Sequence, residues 1–187
     1  MRFETIVKTY YKFDELSEKA QEKAIEHFRN INVDGDFWYE CAIDDRKEIL
    51  KSLGFYEIEI NFSGFWSQGD GASFTAKFSI PESKIELAER IRKTKKDFPN
   101  VDLSLFAQID FFGSEIDCGN FDVYRICHRY SHENSISSDS ESMKEFARDF
   151  SQDTYKTLES NYEFLTEDTQ VIETIRANEY EFDENGN

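Results

Sequence analysis

Proline and cysteine are scarce: two prolines, Pro81 and Pro99, and three cysteines, Cys41, Cys118 and Cys127, among 187 residues. So little proline, alongside 16% aromatic residues, excludes a proline-rich disordered chain and fits a packed globule. An odd number of cysteines without CxxC spacing argues against a disulfide framework, and all three are expected to be buried, reduced thiols. No apolar run approaches the roughly 20 residues of a membrane span. The opening Met-Arg-Phe-Glu-Thr lacks the apolar core of a signal peptide, so a soluble cytoplasmic protein is expected. Positive charge is also short, with 22 Lys and Arg against 39 Asp and Glu, a net of −17. That balance excludes ordinary binding to nucleic acid or an anionic membrane through a basic face. The imbalance is uneven. Residues 133–187 hold 15 acidic and 4 basic side chains, which leaves 24 and 18 for the first 132.

What is present is a hairpin with an unusual connection. Tyr56, Ile58, Ile60 and Phe62 alternate with polar residues, as do Phe74, Ala76, Phe78 and Ile80. Two such period-2 runs predict paired strands. The stretch between them, Ser63-Gly-Phe-Trp-Ser-Gln-Gly-Asp-Gly-Ala-Ser73, is too long and too aromatic for a minimal turn. Its glycines, Gly64, Gly69 and Gly71, give the backbone access to positive φ. Phe65 and Trp66 are costly to leave in water, so they either pack on the body or form a recognition surface.

The rest of the chain reads as helices and strands in the order β-α-α-β-β-α-β-β-α-α. Thr5 to Phe13 is a β-branched and aromatic first strand. Ser17 caps a helix with Ala20, Ala24, Ile25 and Phe28 inward. Asn32-Val-Asp-Gly-Asp36 begins like a calcium loop without completing the ligand pattern, and a helix-breaking turn is expected. A second helix runs from about Asp36 to Leu53, with Phe37, Cys41, Ile49 and Leu53 inward and Gly54 as its stop. A basic helix over 83–96 should bury Ile85, Leu87, Ala88 and Ile91, its Arg90–Lys96 run serving as an internal electrostatic complement. Val101, Leu103, Leu105, Ala107, Ile109 and Phe111 predict a strand, and Phe121 to Tyr130 another. After a polar loop, helices over about 140–165 and 167–177 precede an acidic tail. Met143, Phe146, Phe150, Leu158, Tyr162 and Leu165 mark the apolar side of the longer one. The reading is α+β: an antiparallel sheet of about five strands, helices on one face and a C-terminal acidic helical segment. Its domains would be residues 1–135, with the hairpin at their centre, and 136–187, an acidic helical extension packing on the same domain.

Three segments together, Tyr11-Lys-Phe-Asp-Glu-Leu-Ser-Glu-Lys-Ala20, the Phe62–Phe74 hairpin and His128-Arg-Tyr-Ser-His-Glu-Asn-Ser135, resemble a family of small bacteriophage and prophage proteins sometimes labelled antitoxin-like. The resemblance covers most of the first 135 residues and carries over no assigned chemistry. It implies a phage context, within the bacterial host cytoplasm. In that context small acidic proteins often inhibit nucleic-acid-handling machinery, including restriction and CRISPR systems.

Two groups of residues are candidates for function. In the first, Ser67, Gln68, Asp70 and Ser73 of the loop could converge with His128, His132 and Glu133 on a small molecule or nucleotide. The two histidines stand four apart, but at a strand end rather than on a helix, and no fourth ligand is identifiable, so no metal is expected. The glycines match neither GxGxxG nor a P-loop, and no cofactor is expected. The bland alternative is a polar network that closes the loop on itself.

The second group is acidic. Glu141, Glu145, Asp149 and Asp153 recur every four residues, rising about 6 Å per step, near the spacing of phosphates along a strand. Lys144, Arg148 and Lys156 interleave and weaken the row, while Glu159 and Glu163 extend the field. Like charges at that spacing destabilise a helix by roughly 0.2–0.5 kcal/mol per pair, so the row needs a partner or a tolerant fold. Together with the resemblance, it suggests a non-enzymatic inhibitor that mimics a nucleic-acid backbone. Its partner would be a basic nucleic-acid-binding host protein, a CRISPR effector nuclease being the favoured example, with Phe65 and Trp66 as apolar anchors. The alternatives are a ligand-binding protein or enzyme built on the 67–73 loop, and an antitoxin-like protein.

Overall fold

The computed structural model describes residues 8–109 and 141–187. In chain order the elements are β1 (Tyr11–Lys12), a 3-10 turn (Phe13–Glu15), α1 (Glu18–Phe28), α2 (Phe37–Leu53), β2 (Phe55–Phe62), β3 (Ala72–Phe78), α3 (Lys84–Asp97), α4 (Ser104–Gln108), α5 (Glu141–Thr166), α6 (Asp168–Ala177) and β4 (Glu181–Phe182). Helix and strand are mixed, as α+β requires. Among the described residues the strands form two antiparallel pairs, β1–β4 and β2–β3, rather than one sheet of about five. The chain divides into two compact units, residues 40–159 and the remainder. The domain boundary expected at 135 lies outside the described residues, as does the strand expected over 121–130.

The smaller unit is built from both ends of the chain. Ser17 caps α1 by accepting the Ala20 N–H, and the apolar stripe places Ala20, Ala24 and Ile25 inward. They pack with Phe13, Leu16, Val171, Ile175 and Phe182. Tyr11 pairs with Phe182 in the β1–β4 ladder, and the Phe13 and Phe182 rings meet edge to face at 6.3 Å. The 32–36 stretch is a turn. The Asn32 amide donates to the Leu165 carbonyl (3.0 Å), and its oxygen accepts from Thr174 (2.7 Å). Arg29 binds Asp168 at 2.6 Å, a hydrogen bond that holds the guanidinium pKa above its ordinary value.

In the 40–159 unit the hairpin lies against α5. Phe55 opposes Phe78 and Ile60 opposes Phe74, with a bulge between Tyr56 and Glu59. The Phe55 ring contacts Phe78 at 4.7 Å, Phe146 at 6.0 Å and Phe106 at 6.2 Å. Burying each such ring contributes about 1.5–3 kcal/mol, so this cluster dominates the unit's core. On α5, Met143, Phe146, Ala147, Phe150, Ser151, Thr154, Tyr155 and Leu158 are buried at helical spacing, which leaves 145, 149, 153 and 156 on the opposite face.

Several expectations are corrected here. The strand read from Val101 to Phe111 is replaced, over its described part, by an irregular entry and the short helix α4. Asp102 accepts the Ser104 N–H at 2.8 Å and starts that turn; Phe106, outside the alternating set, is fully buried. The first strand is confined, within the described residues, to Tyr11–Lys12, because Phe13 enters a 3-10 turn. Phe37 is 78% exposed and Cys41 is exposed, whereas Ile49 and Leu53 are buried as expected and Ile43 and Leu50 join them. Cys118 and Cys127 lie outside the described residues. On α3, Ile85 is 73% exposed and Ala88 is exposed, while Leu87 and Thr94 face inward.

Candidate interaction surface

The connection between β2 and β3 is held by its own polar groups. Asp70 is buried, and its carboxylate accepts the Ser67 N–H at 2.6 Å, while the Asp70 N–H reaches the Ser67 carbonyl at 3.1 Å. Ser63 and Gly71 close the neck: the Ser63 N–H donates to the Gly71 carbonyl (3.1 Å) and the Gly71 N–H to the Ser63 hydroxyl (3.2 Å). Gly71 therefore extends the ladder, and positive φ falls on Gly64 and Gly69.

Positive φ also falls on Trp66, at +68°. A bulky residue there is strained by on the order of 1–2 kcal/mol, and the closed loop is what holds it. The consequence is asymmetric. Phe65 turns inward, stacking on Phe62 at 5.9 Å and meeting Tyr155 of α5 at 5.4 Å. Trp66 turns outward and keeps 60% of its surface exposed. Of the two residues expected as anchors, one is a footing and the other is presented.

The remaining loop residues differ in exposure. Ser67 and Gln68 are exposed, whereas Ser73 is buried in the ladder opposite Asn61. The Asp70 carboxylate serves the loop backbone. His128, His132 and Glu133 lie outside the described residues. No group of three His, Cys, Asp or Glu able to hold a metal occurs among the described residues.

On α5, Glu145 and Asp149 are exposed along one face. Asp153 continues the row but is bridged to Arg46 of α2 at 2.6 Å. Arg46 also donates to Thr157 and lies over the Phe150 ring, 5.8 Å from its centre. It is a mostly buried cation that anchors α2 to α5 and offsets part of the acidic row. Nothing in the sequence pattern singled it out, because its partner is 107 residues away. Glu159 is half-buried, Glu163 is exposed, and the Glu141 side chain lies outside the described residues. Beside the row, α5 and the segment from Asn100 to Leu105 enclose an open groove of about 270 Å³, with Asp102, Asp149 and Lys156 at its rim and Phe146 and Phe150 beneath. The Asp102 carboxyl is held below its ordinary range by the Ser104 backbone N–H.

Residues 38–168 match the family described as "Domain of unknown function (DUF8835)". The chain belongs to that family. The DUF8835 match encloses the 40–159 unit, and with it the Trp66 loop, Arg46 and the row from Glu145 to Asp153. No curated protein and no solved structure matches the chain. The description of DUF8835 names no activity, partner or host, so function has to be argued from the surface. No helix among the described residues is long and apolar enough to cross a membrane.

Proposed function

We propose that this DUF8835 protein is a non-enzymatic binding protein that docks on a basic, nucleic-acid-handling partner. The observation that carries the reading is the row Glu145–Asp149–Asp153 on α5, whose three carboxylates are exposed even though Asp153 is bridged to Arg46. Rows of carboxylates one helical turn apart present charge at a pitch close to that of a phosphate backbone. A groove evolved for nucleic acid attracts such a surface by the same long-range field. Trp66 supports the reading independently. The indole meets the Phe65 ring at 5.6 Å yet keeps 60% of its surface exposed from a positive-φ position, and a partner that buries it would add the contact of an aromatic anchor.

The narrowest form of the proposal is a phage inhibitor of a host CRISPR effector nuclease, acting in the bacterial cytoplasm. It rests on the resemblance of the 11–20, 62–74 and 128–135 segments. The test is competition. A purified CRISPR effector and a panel of basic restriction and repair nucleases are loaded with fluorescent DNA and titrated with the protein. Displacement that weakens as salt rises, and that Glu145→Lys with Asp149→Lys abolishes without lowering the melting temperature, supports the proposal. Displacement indifferent to those substitutions, or no displacement from any member of the panel, overturns it.

A further inference from the structure

The basic run of α3 is divided in its use. Arg90 donates to the carbonyls of Leu53 and Ser79 and pairs with Glu86; Lys95 donates to the Val101 carbonyl. Those two are the internal complement expected of the helix. Arg92 and Lys96 are exposed and have no ion-pair or hydrogen-bond partner among the described residues. One turn before Arg92 stands Glu89, also exposed and also without such a partner there. Glu89, Arg92 and Lys96 lie within about 60° of one another on the helix, at 100° per residue.

The same chain carries the counterpart of this pattern. Asp149, Asp153 and Lys156 on α5 are exposed and again fall within about 60° of one another. Read along α3 the order is negative, positive, positive with steps of three and four. Read backwards along α5 from Lys156 the order is positive, negative, negative, with the same steps. Two helices side by side and antiparallel bring Glu89 opposite Lys156, Arg92 opposite Asp153 and Lys96 opposite Asp149, with equal rises of about 4.5 and 6 Å. Asp153 uses one carboxylate oxygen for Arg46 and keeps the other.

We infer that the α3 face Glu89–Arg92–Lys96 is a self-association surface whose partner is the α5 face Asp149–Asp153–Lys156 of a second copy of this chain. The inference stands apart from the proposed function, although both use Asp149. A bound basic target and a second copy would compete for α5, which makes self-association a store of masked protein. Ile85, one turn before Glu89, adds an exposed apolar side chain at the end of the α3 row. Exposed ion pairs are individually weak, so the dissociation constant should be on the order of 1 mM. Each copy carries −17, and the repulsion between copies is long-ranged. About 0.15 M salt screens it beyond roughly 8 Å and leaves contact pairs in place.

Sedimentation equilibrium of the purified full chain at 20–500 μM in 0.15 M NaCl tests this. The wild type should associate, and raising NaCl to 1 M should weaken the association at least tenfold. Glu89→Lys with Lys96→Glu, and separately Asp149→Lys with Lys156→Glu, should each be monomeric with wild-type melting temperatures. An equimolar mixture of the two variants restores all three sign-matched pairs and should associate as the wild type does. A wild type that is monomeric throughout overturns the inference. So does association that survives either double substitution, or a mixture that stays monomeric. None of these outcomes bears on binding to a basic target, which is read by DNA displacement instead.

Discussion

The guanidinium of Arg90 occupies the space a side chain at Gly54 would need. Gly54 has φ of +105° and ends α2; Arg90 donates from there to the Leu53 carbonyl at 3.3 Å and the Ser79 carbonyl at 2.6 Å. One side chain on α3 thus satisfies the last turn of α2 and the exit of the hairpin. Gly54→Ala meets both the φ penalty and the displaced guanidinium, and should cost about 2–4 kcal/mol in urea denaturation. Gly35→Ala, at φ of +92° with open space around it, is the control and should cost only about 1 kcal/mol. Equal losses would show that Arg90 moves aside freely.

Trp66 should separate stability from binding. Trp66→Gly removes a strained left-handed residue, so the unfolding free energy should hold or rise by up to about 1 kcal/mol. Affinity for the basic target should fall about tenfold or more, as it does for a central aromatic anchor. A destabilised Trp66→Gly would place the indole among the packing residues.

Phe106 discriminates α4 from the strand that the alternation suggests. A strand with Leu103 and Leu105 inward turns Phe106 outward, whereas the structure buries Phe106 fully and leaves Leu105 half-buried. Phe106→Ala should cost about 3–5 kcal/mol, and Leu105→Ala about half of that or less. The reverse order would restore the strand.

Acid should weaken one junction in a defined direction. The Glu86 carboxyl is held below its ordinary range, chiefly by the Glu82 backbone N–H and then by Arg90. A depressed carboxylate contributes stability above its unfolded pKa and loses it as pH falls through the folded one. The stability gap between wild type and Glu86→Gln should therefore be full at pH 6 and shrink as pH drops below about 4.5. A constant gap down to pH 3 would remove Glu86 from the account. Because protonation also relieves the repulsion of a −17 chain, the difference between the two proteins is the informative quantity.

Legibility in the sequence followed the range of the interactions. Ser17 announces α1 because a cap and its N–H lie three residues apart. The hairpin announces itself by alternation on both arms. The 101–109 segment misleads because Val101, Leu103 and Ile109 fit period 2, while Leu103, Phe106 and Ile109 fit the spacing of a turn; Asp102 decides between them through its bond to Ser104. On α2, apolar character alone could not orient the helix: Phe37 is exposed while Leu50, not expected inside, is fully buried. The surface was half legible. The acidic row is visible as a period of four, but its offset by Arg46 and the turning of Phe65 inward and Trp66 outward depend on tertiary contacts and backbone strain.

The pairing of Tyr11 with Phe182 sets an order of events during synthesis. The 40–159 unit is contiguous and can close as its last helix emerges. Phe13, Ala24 and Ile25 must wait for Val171, Ile175 and Phe182, which arrive some 150 residues later, or roughly 10–30 s at ordinary translation rates. During that interval the apolar stripe of α1 is exposed on the ribosome. The first helix made is among the last to be buried, and the nascent chain carries there a surface that holding chaperones bind.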